Sequence, residues 1–377
     1  MRIVHVANFY GPKSGGLRTT IHELGRGYQE AGFEFIYIVP DEKSYIEETQ
    51  FGTKIAIKAP LIPMSGGYRA IINPVEVITI LQNIKPDRIE VSDRLTLKRI
   101  GSWAKKQGIF CVVFSHETLD GLVNKFLPKL PFKKKIVDWH NRKLSNSFNR
   151  VIATTEFASK EFKRINCKNL EKVSLGVDLN QFATRHYHQK LRDNLAKGSQ
   201  HLLVHVGRLS PEKNPMMSIK ALKILLRSNV DARLIIIGSG PLKEKMMQAA
   251  KGLPVEFYGF VSDRTQLAQL VASADVSIAP GPLETFCLSA LESLAAGTQV
   301  VCSVTSAVPE IIGEAGAVAR NYSESFAVAI QKILARGSKS ERALVARKQA
   351  EKFSWWNTTQ QMIRIHNLVL IEDEYAA

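Results

Sequence analysis

The chain has 377 residues, 45% apolar and 23% charged, with a formal net charge of +16. This is the composition of an ordinary globular protein, and no apolar run approaches the ~20 residues that span a bilayer. The four cysteines (Cys111, Cys167, Cys287 and Cys302) lack metal or disulfide spacing, so buried thiols in a reducing cytosol are expected.

The opening Met1-Arg-Ile-Val-His-Val-Ala7 reads as a buried first strand, being too short and too polar-flanked for a signal peptide. Further short apolar runs predict strands at residues 35–39, 55–58, 88–91, 109–114 and 151–153. Helical periodicity fills residues 17–31, 75–84 and 95–107 between them. The rhythm restarts with strands at 202–206, 233–237, 255–258, 276–279 and 300–303, each followed by a helical candidate. Repeated β-α alternation means parallel sheets covered by helices on both faces. Occurring twice in a chain too long for one core, it predicts two doubly wound, Rossmann-like α/β domains. The division is placed at residues 1–185 and 186–353, inside the polar, basic stretch 179–200. Residues 354–377 are expected to form a C-terminal helix that packs back on the first domain, with Trp355, Met362, Ile365 and Leu368 near one face. Ligands of such sheets bind outside the strand C-termini, and the cleft between two such domains is the expected site.

The charge is uneven. Residues 1–200 hold 32 Lys and Arg against 19 Asp and Glu, whereas residues 201–377 hold 19 against 16. The first half therefore favours an anionic partner, either membrane lipid or nucleic acid. Within Asn124-Lys-Phe-Leu-Pro-Lys-Leu-Pro-Phe-Lys-Lys-Lys135, cations interleave with Phe126, Leu127, Leu130 and Phe132. That mixture suits adsorption on an anionic membrane surface, and no nucleic-acid fold signature accompanies it. Downstream, Val137, His140, Leu144 and Phe148 share a helix face and belong to a core.

The most informative stretch is Pro282-Leu-Glu-Thr-Phe-Cys-Leu-Ser-Ala-Leu-Glu292. Glu284 falls in the loop after a strand, and Glu292 in the second turn of the following helix. Between them lies a helix start, whose free N–H groups bind anions. Two carboxylates beside a phosphate cradle would repel phosphate but accept hydrogen bonds from sugar hydroxyls. A ligand with sugars on both sides of a phosphate group is a nucleotide sugar. Gly207-Arg-Leu-Ser-Pro-Glu-Lys-Asn214, following the first strand of the second domain, adds Arg208 and Lys213, two cations suited to a leaving diphosphate. Gly15 and Gly16, after the first strand, permit positive φ and close backbone approach; the loop is not the G-x-G-x-x-G fingerprint of nicotinamide enzymes. Tyr258-Gly-Phe260 ends a strand where an aromatic and exposed backbone could border a base. His116 and Asp93 each follow a strand of the first domain. Asp93 could bind an acceptor hydroxyl or cap the next helix.

Together these pieces, in this order over nearly the whole chain, resemble the family-4 retaining glycosyltransferases of GT-B fold. Ser14-Gly-Gly-Leu-Arg18, Asp93-Arg-Leu-Thr-Leu97 and Ser115-His-Glu117 look most like bacterial GDP-mannose-dependent α-mannosyltransferases that build glycolipids. The resemblance implies that Arg208 and Lys213 hold the donor diphosphate, with Gly15 and Gly16 bringing backbone N–H near it. Glu284 would bind the transferred hexose, and Glu292 the ribose. The backbone of Phe286, Cys287 and Leu288 would complete the cradle, Tyr258, Gly259 and Phe260 would border the base, and His116 would sit beside the reacting sugar. It further implies retention of configuration without a carboxylate nucleophile. The common family pattern has glycine where this chain carries Thr285 and Cys287; backbone N–H is retained at both. Neither a metal nor another cofactor is expected, because Arg208, Lys213 and the helix start already face the diphosphate charge.

The expectation is thus a cytoplasmic enzyme at the inner face of the cell membrane, moving mannose from GDP-mannose to a lipid-linked or glycolipid acceptor. The rivals are a transferase using a UDP-sugar, a nucleotide-sugar 2-epimerase and a basic nucleic-acid-binding protein.

Overall fold

The computed structural model describes residues 1–11, 15–62 and 67–368, without the side chains of Lys125 and Phe126. Ser14 of the first glycine loop, the Lys125 and Phe126 side chains of the basic stretch, and the end of the expected C-terminal helix lie outside the described residues.

Contacts divide the chain into two compact units: Met1–Leu175 with the segment from Trp355 onward, and Gly176–Ser354. The first boundary falls ten residues before the expected one. Val177 already belongs to the second unit, where its N–H donates to Phe353 O at 3.1 Å.

Among its described residues the first unit carries β1 (Arg2–Ala7), β2 (Glu34–Asp41), β3 (Tyr45–Thr49), β4 (Gly52–Lys58), β5 (Arg88–Ser92), β6 (Phe110–Ser115), β7 (Arg150–Ala153) and β8 (Leu170–Lys172). They form one sheet in the order β3-β4-β2-β1-β5-β6-β7-β8. The β3–β4 pair is antiparallel and the other pairs are parallel. Alternate residues of β1 feed two cores: Val4 and Val6 pack with Ile36, Ile89 and Val91 on one face, Ile3 and Ala7 with Phe35, Tyr37 and Phe114 on the other. Burial on both faces is why these strands read as almost unbroken apolar runs.

The helix Trp355–Ile365 contributes Met362 and Ile363 to the second of those cores. At 0% and 2% exposed, each is worth roughly 2 kcal/mol of burial. Its approach to the helix Gly16–Glu30 needs a glycine, since a Cβ on Gly27 would lie 2.3 Å from Thr359 Oγ1.

The second unit repeats the plan with β9 (His201–Val206), β10 (Ala232–Ile237), β11 (Val255–Gly259), β12 (Val276–Ala279), β13 (Gln299–Ser303) and β14 (Gly316–Ala319). All pairs are parallel, in the order β11-β10-β9-β12-β13-β14. Strand order reverses at β1/β5 in one sheet and at β9/β12 in the other. Such switch points open crevices at the strand C-termini, and the loops with the candidate site residues leave from these edges.

Three strands escape the sequence patterns. β3 is an exposed edge carrying Glu47 and Glu48, β8 has three residues, and β14 is built from glycine, alanine and one valine. The helix expected from residue 95 starts at Lys98, because Asp93 folds the preceding residues into a turn.

Candidate active site

In the second unit the loop after β9 is held against the loop after β10. Leu209 N donates to Ser239 O at 3.0 Å, and Leu242 N to Leu209 O at 2.9 Å. Gly238 has φ +143, and a Cβ there would stand 1.9 Å from Gly207 O, so only glycine lets the two loops touch. Arg208 leaves from this fixed corner. Burial lowers its pKa, against the pull of Glu212. Lys213 sits in the short turn Pro211–Lys213, and the helix begins only at Met216. Both cations therefore precede the helix.

Lys213 Nζ donates to both carboxylate oxygens of Glu284, each at 2.7 Å. Burial disfavours the ammonium, but Glu284 outweighs it and the Lys213 pKa is raised. The loop after β12 is anchored by Ala307 N, which donates to Glu284 O at 2.8 Å. The expected phosphate ligand and the expected sugar ligand are therefore one ion pair. An ammonium has three N–H donors, so the pair leaves Lys213 one for an incoming anion.

The helix Leu288–Ala295 is preceded by Cys287 at φ 77, ψ 75. Left-handed backbone is unfavourable for a non-glycine residue, which explains why the family pattern favours glycine here. Burial and the neighbouring Glu284 push the Cys287 thiol up to about 12. Phe286 is 4% exposed, its ring edge-on to Phe353, so its side chain belongs to the core. Leu288 is likewise buried.

Glu292 Oε1 accepts from Arg264 Nη2 at 2.7 Å. The Arg264 guanidinium lies over the Phe182 ring at 4.7 Å. Nothing in the sequence marked Arg264, which sits 28 residues from its partner. On edge strand β11, Gly259 O accepts from Gly238 N at 2.7 Å, tying the Tyr258–Phe260 segment to the same corner. Phe260 is 47% exposed. Burial raises the Tyr258 pKa, assisted by Glu256.

In the first unit, Gly15 has φ −81, and neither Gly15 nor Gly16 has positive φ, contrary to the expectation. Among the described residues a Cβ on Gly15 would meet nothing within 4 Å, so packing does not demand glycine there. The helix Gly16–Glu30 has no acidic residue in its first turn and no side-chain cap. Asp93 is also corrected. Its Oδ1 accepts from Leu95 N and Thr96 N, and its Oδ2 from Asn8 Nδ2 and Thr96 Oγ1. Both oxygens build the turn ahead of the helix, whose N-cap is Leu97 with no side-chain cap, so Asp93 does not cap it, and no acceptor-binding role is assigned to its fully engaged carboxylate.

His116 follows β6 and is partly exposed, with its ring stacked on Phe114 at 5.5 Å. Its Nε2 lies 2.8 Å from Ser92 Oγ. Burial, with His5 nearby, lowers the His116 pKa to about 3, so the imidazole is neutral.

Two doubly wound parallel domains, one with a cationic corner and flanking glutamates at its switch point, define a glycosyltransferase of GT-B fold. Residues 14–181 match the family model described as Glycosyltransferase Family 4, and residues 188–352 the one described as Glycosyl transferases group 1. A GDP-mannose-dependent alpha-(1-6)-phosphatidylinositol dimannoside mannosyltransferase of Mycobacterium tuberculosis (strain ATCC 25177 / H37Ra) is 46% identical over 365 residues, 96% of this chain and 95% of that protein. The chain belongs to the family-4 glycosyltransferases. More distant is a GDP-mannose-dependent alpha-mannosyltransferase of Mycolicibacterium smegmatis, 22% identical over 80% of this chain and 79% of its own length. Among solved structures, a sucrose-phosphate synthase from Thermosynechococcus elongatus shares the fold with TM-score 0.77 at 19% identity, covering 97% of this chain and 98% of that one. WaaG, a glycosyltransferase involved in lipopolysaccharide biosynthesis, aligns with TM-score 0.72 at 18% identity, covering 96% and 99%.

Proposed function

We propose that this enzyme transfers mannose from GDP-mannose, with retention, to a hydroxyl of a membrane glycolipid of the phosphatidylinositol mannoside type. The observation that carries the proposal is the 46% identity, over almost the full length of both chains, to a mannosyltransferase named for that donor and acceptor. The geometry supplies the chemistry. Arg208, the third N–H of Lys213 and the amides at the start of Leu288–Ala295 meet the diphosphate and stabilise its charge as it departs. Glu284, held by Lys213, accepts from hexose hydroxyls; Glu292, held by Arg264, accepts from the ribose. The acceptor oxygen bonds to the anomeric carbon on the face from which the diphosphate oxygen leaves, and the acceptor proton passes to that oxygen. No carboxylate nucleophile and no resident metal is assigned a step.

The same proposal places the enzyme on the cytoplasmic face of a membrane. Among the described residues no helix is long and apolar enough to cross one. The helix Lys133–Ser147 and its approach expose Leu127, Phe132, Ile136 and Trp139 at 53%, 73%, 44% and 56%. Lys133, Lys134 and Lys135 open that helix, and Lys143 Nζ sits 4.0 Å from the Trp139 ring centroid. Aromatic and basic side chains together suit an anionic lipid surface.

Thermal shift against nucleoside diphosphates tests the donor, because ligand stabilisation tracks affinity. GDP should stabilise the protein well beyond UDP; the reverse order would replace the mannosyl donor by a UDP-sugar.

A further inference from the structure

Within the first unit a cavity of about 600 Å³ lies between the segment Ile72–Pro74 and the start of the helix Lys98–Lys106. That volume falls in the ~300–1,000 Å³ range of small-molecule sites. Its walls are fastened by buried hydrogen bonds. Asn8, 0% exposed, accepts from Ile71 N at 2.7 Å and donates to Ile71 O at 3.3 Å. Thr96 Oγ1 lies 2.8 Å from the same carbonyl oxygen. Asp93, which accepts from the Leu95 and Thr96 amides, closes the turn on the other side. The cavity is therefore built into the fold rather than left between loose loops.

Its lining holds two cations, Lys98 and Arg99, and no carboxylate. Among the described residues neither of these side chains enters a hydrogen bond or an ion pair. Burial, and then the ammonium of Lys143, lower the Lys98 pKa, as expected of a cation that faces another cation. The helix that carries both has no acidic residue in its first turn. A phosphate oxygen would supply the missing negative charge. The rim is apolar: Ile72 and Leu95 are 65% and 56% exposed, and Pro74 stands beside them. No lining residue is aromatic, so a nucleobase finds no stacking surface. These features fit an occupant that joins a phosphate to hydrocarbon.

The cavity continues into the face of the helix Lys133–Ser147. His140 Nε2 is 3.0 Å from the carbonyl oxygen of Arg94, the residue before Leu95. Lys143, the charged neighbour of Lys98, has its Nζ 4.0 Å from the Trp139 ring centroid. Lys105 Nζ donates to Asn146 O at 3.4 Å, which joins the two helices further along. We propose that the cavity binds the head group of one anionic membrane glycerophospholipid, with the phosphodiester between Lys98 and Arg99 and the glycerol and first acyl carbons on Ile72, Pro74 and Leu95. The proposal rests on the membrane face of the proposed function and goes beyond it. Lys133, Lys134 and Lys135 meet surface charge in general, whereas the cavity holds a single lipid that is a partner of the enzyme and not its acceptor.

The test titrates the full-length protein, with 13C-labelled isoleucine and leucine methyls, with monomeric dihexanoyl phosphatidylglycerol. The Ile72 and Leu95 signals, assigned by Ile72→Val and Leu95→Met, should shift saturably. Inorganic phosphate and dihexanoyl phosphatidylcholine at the same concentration should shift them far less. Lys98→Gln with Arg99→Gln should bind the lipid roughly 30-fold more weakly, about fivefold per cation. Lys98→Arg with Arg99→Lys, which keeps both charges, should bind within a few-fold of wild type. Absent shifts, equal shifts with phosphate or the zwitterionic lipid, or undiminished affinity in the glutamine variant overturn the proposal. A response to dihexanoyl phosphatidylinositol but none to phosphatidylglycerol overturns it in favour of an acceptor site, and tighter binding of an RNA oligonucleotide in favour of nucleic acid. Sedimentation with phosphatidylglycerol vesicles separates the cavity from the membrane face. Glutamate at Lys133, Lys134 and Lys135 with Trp139→Ser should lose the vesicles and keep the methyl shifts. Vesicle binding by wild type without methyl shifts removes the cavity and leaves the face; methyl shifts without vesicle binding do the reverse.

Discussion

Replacing Lys213 with methionine separates the two uses the structure gives this side chain. Its Nζ makes two 2.7 Å bonds to Glu284, whose side chain is 12% exposed, while Lys213 itself is 37% exposed. Breaking a fully buried pair costs about 3–5 kcal/mol; solvent at Lys213 screens this one, so a stability loss of about 1–2 kcal/mol is expected. The catalytic loss should be larger. A preorganised donor at a developing negative charge is worth about 10²–10³ in kcat, and Glu284 loses the cation that orients it. The assay pairs urea unfolding with initial rates of mannose transfer. Lys213→Met should remain folded with kcat down at least 100-fold. The double variant with Glu284→Gln should lose less than the two single losses combined, because the residues act as one unit. Turnover within threefold of wild type in folded Lys213→Met would refute the assignment of this pair to the leaving diphosphate.

Three further outcomes are expected. Arg264→Ala should raise the donor KM several-fold with a smaller change in kcat, since Arg264 holds Glu292 away from the reacting bond; an unchanged KM would remove Glu292 from ribose binding. Burial would raise the Glu90 pKa, but hydrogen bonds from His366 and His5 outweigh it and hold the carboxyl well below its ordinary range. That depression makes a signed statement about stability. The carboxylate's contribution is present above the unfolded carboxylate pKa of about 4.3 and is lost as pH falls below it towards the folded value. Glu90→Gln should therefore be less stable than wild type at pH 7, with the gap narrowing below about pH 4, and a gap that widens there would contradict the ionised assignment. Reversing Lys133, Lys134 and Lys135 to glutamate together with Trp139→Ser should release the enzyme from vesicles containing anionic phospholipid while leaving its thermal stability nearly unchanged; undiminished binding would exclude this face.

Much of this site was legible because its side chains sit next to strongly patterned strands. The runs around Ile3, Val204 and Ile278 announce buried parallel strands, and the loops that follow them carry Gly15, Arg208 and Glu284. What stayed hidden depended on distance in sequence. Arg264 meets Glu292 across 28 residues, and His5 meets Glu90 across 85. Both are pairings of register and packing rather than of local motif. A polar residue in an apolar strand was the available signal for the buried His5–Glu90 pair: His5 in β1 and Glu90 in β5 each break such a run. Asp93 went the other way. Its place after a strand suggested a ligand, but both oxygens are taken by internal donors. The two glutamates resolve similarly, each pinned by a cation, Glu284 by Lys213 and Glu292 by Arg264, which orients them for the proposed binding of sugar hydroxyls.

The central claim is tested most directly by incubating the purified enzyme with GDP-mannose and vesicles containing phosphatidylinositol dimannoside, then determining the product and its new linkage by mass spectrometry and NMR. The account predicts one added mannose in α configuration, with UDP-glucose giving no product. A β-linked product, transfer from the UDP-sugar alone, or epimerised donor with no acceptor modified would contradict it.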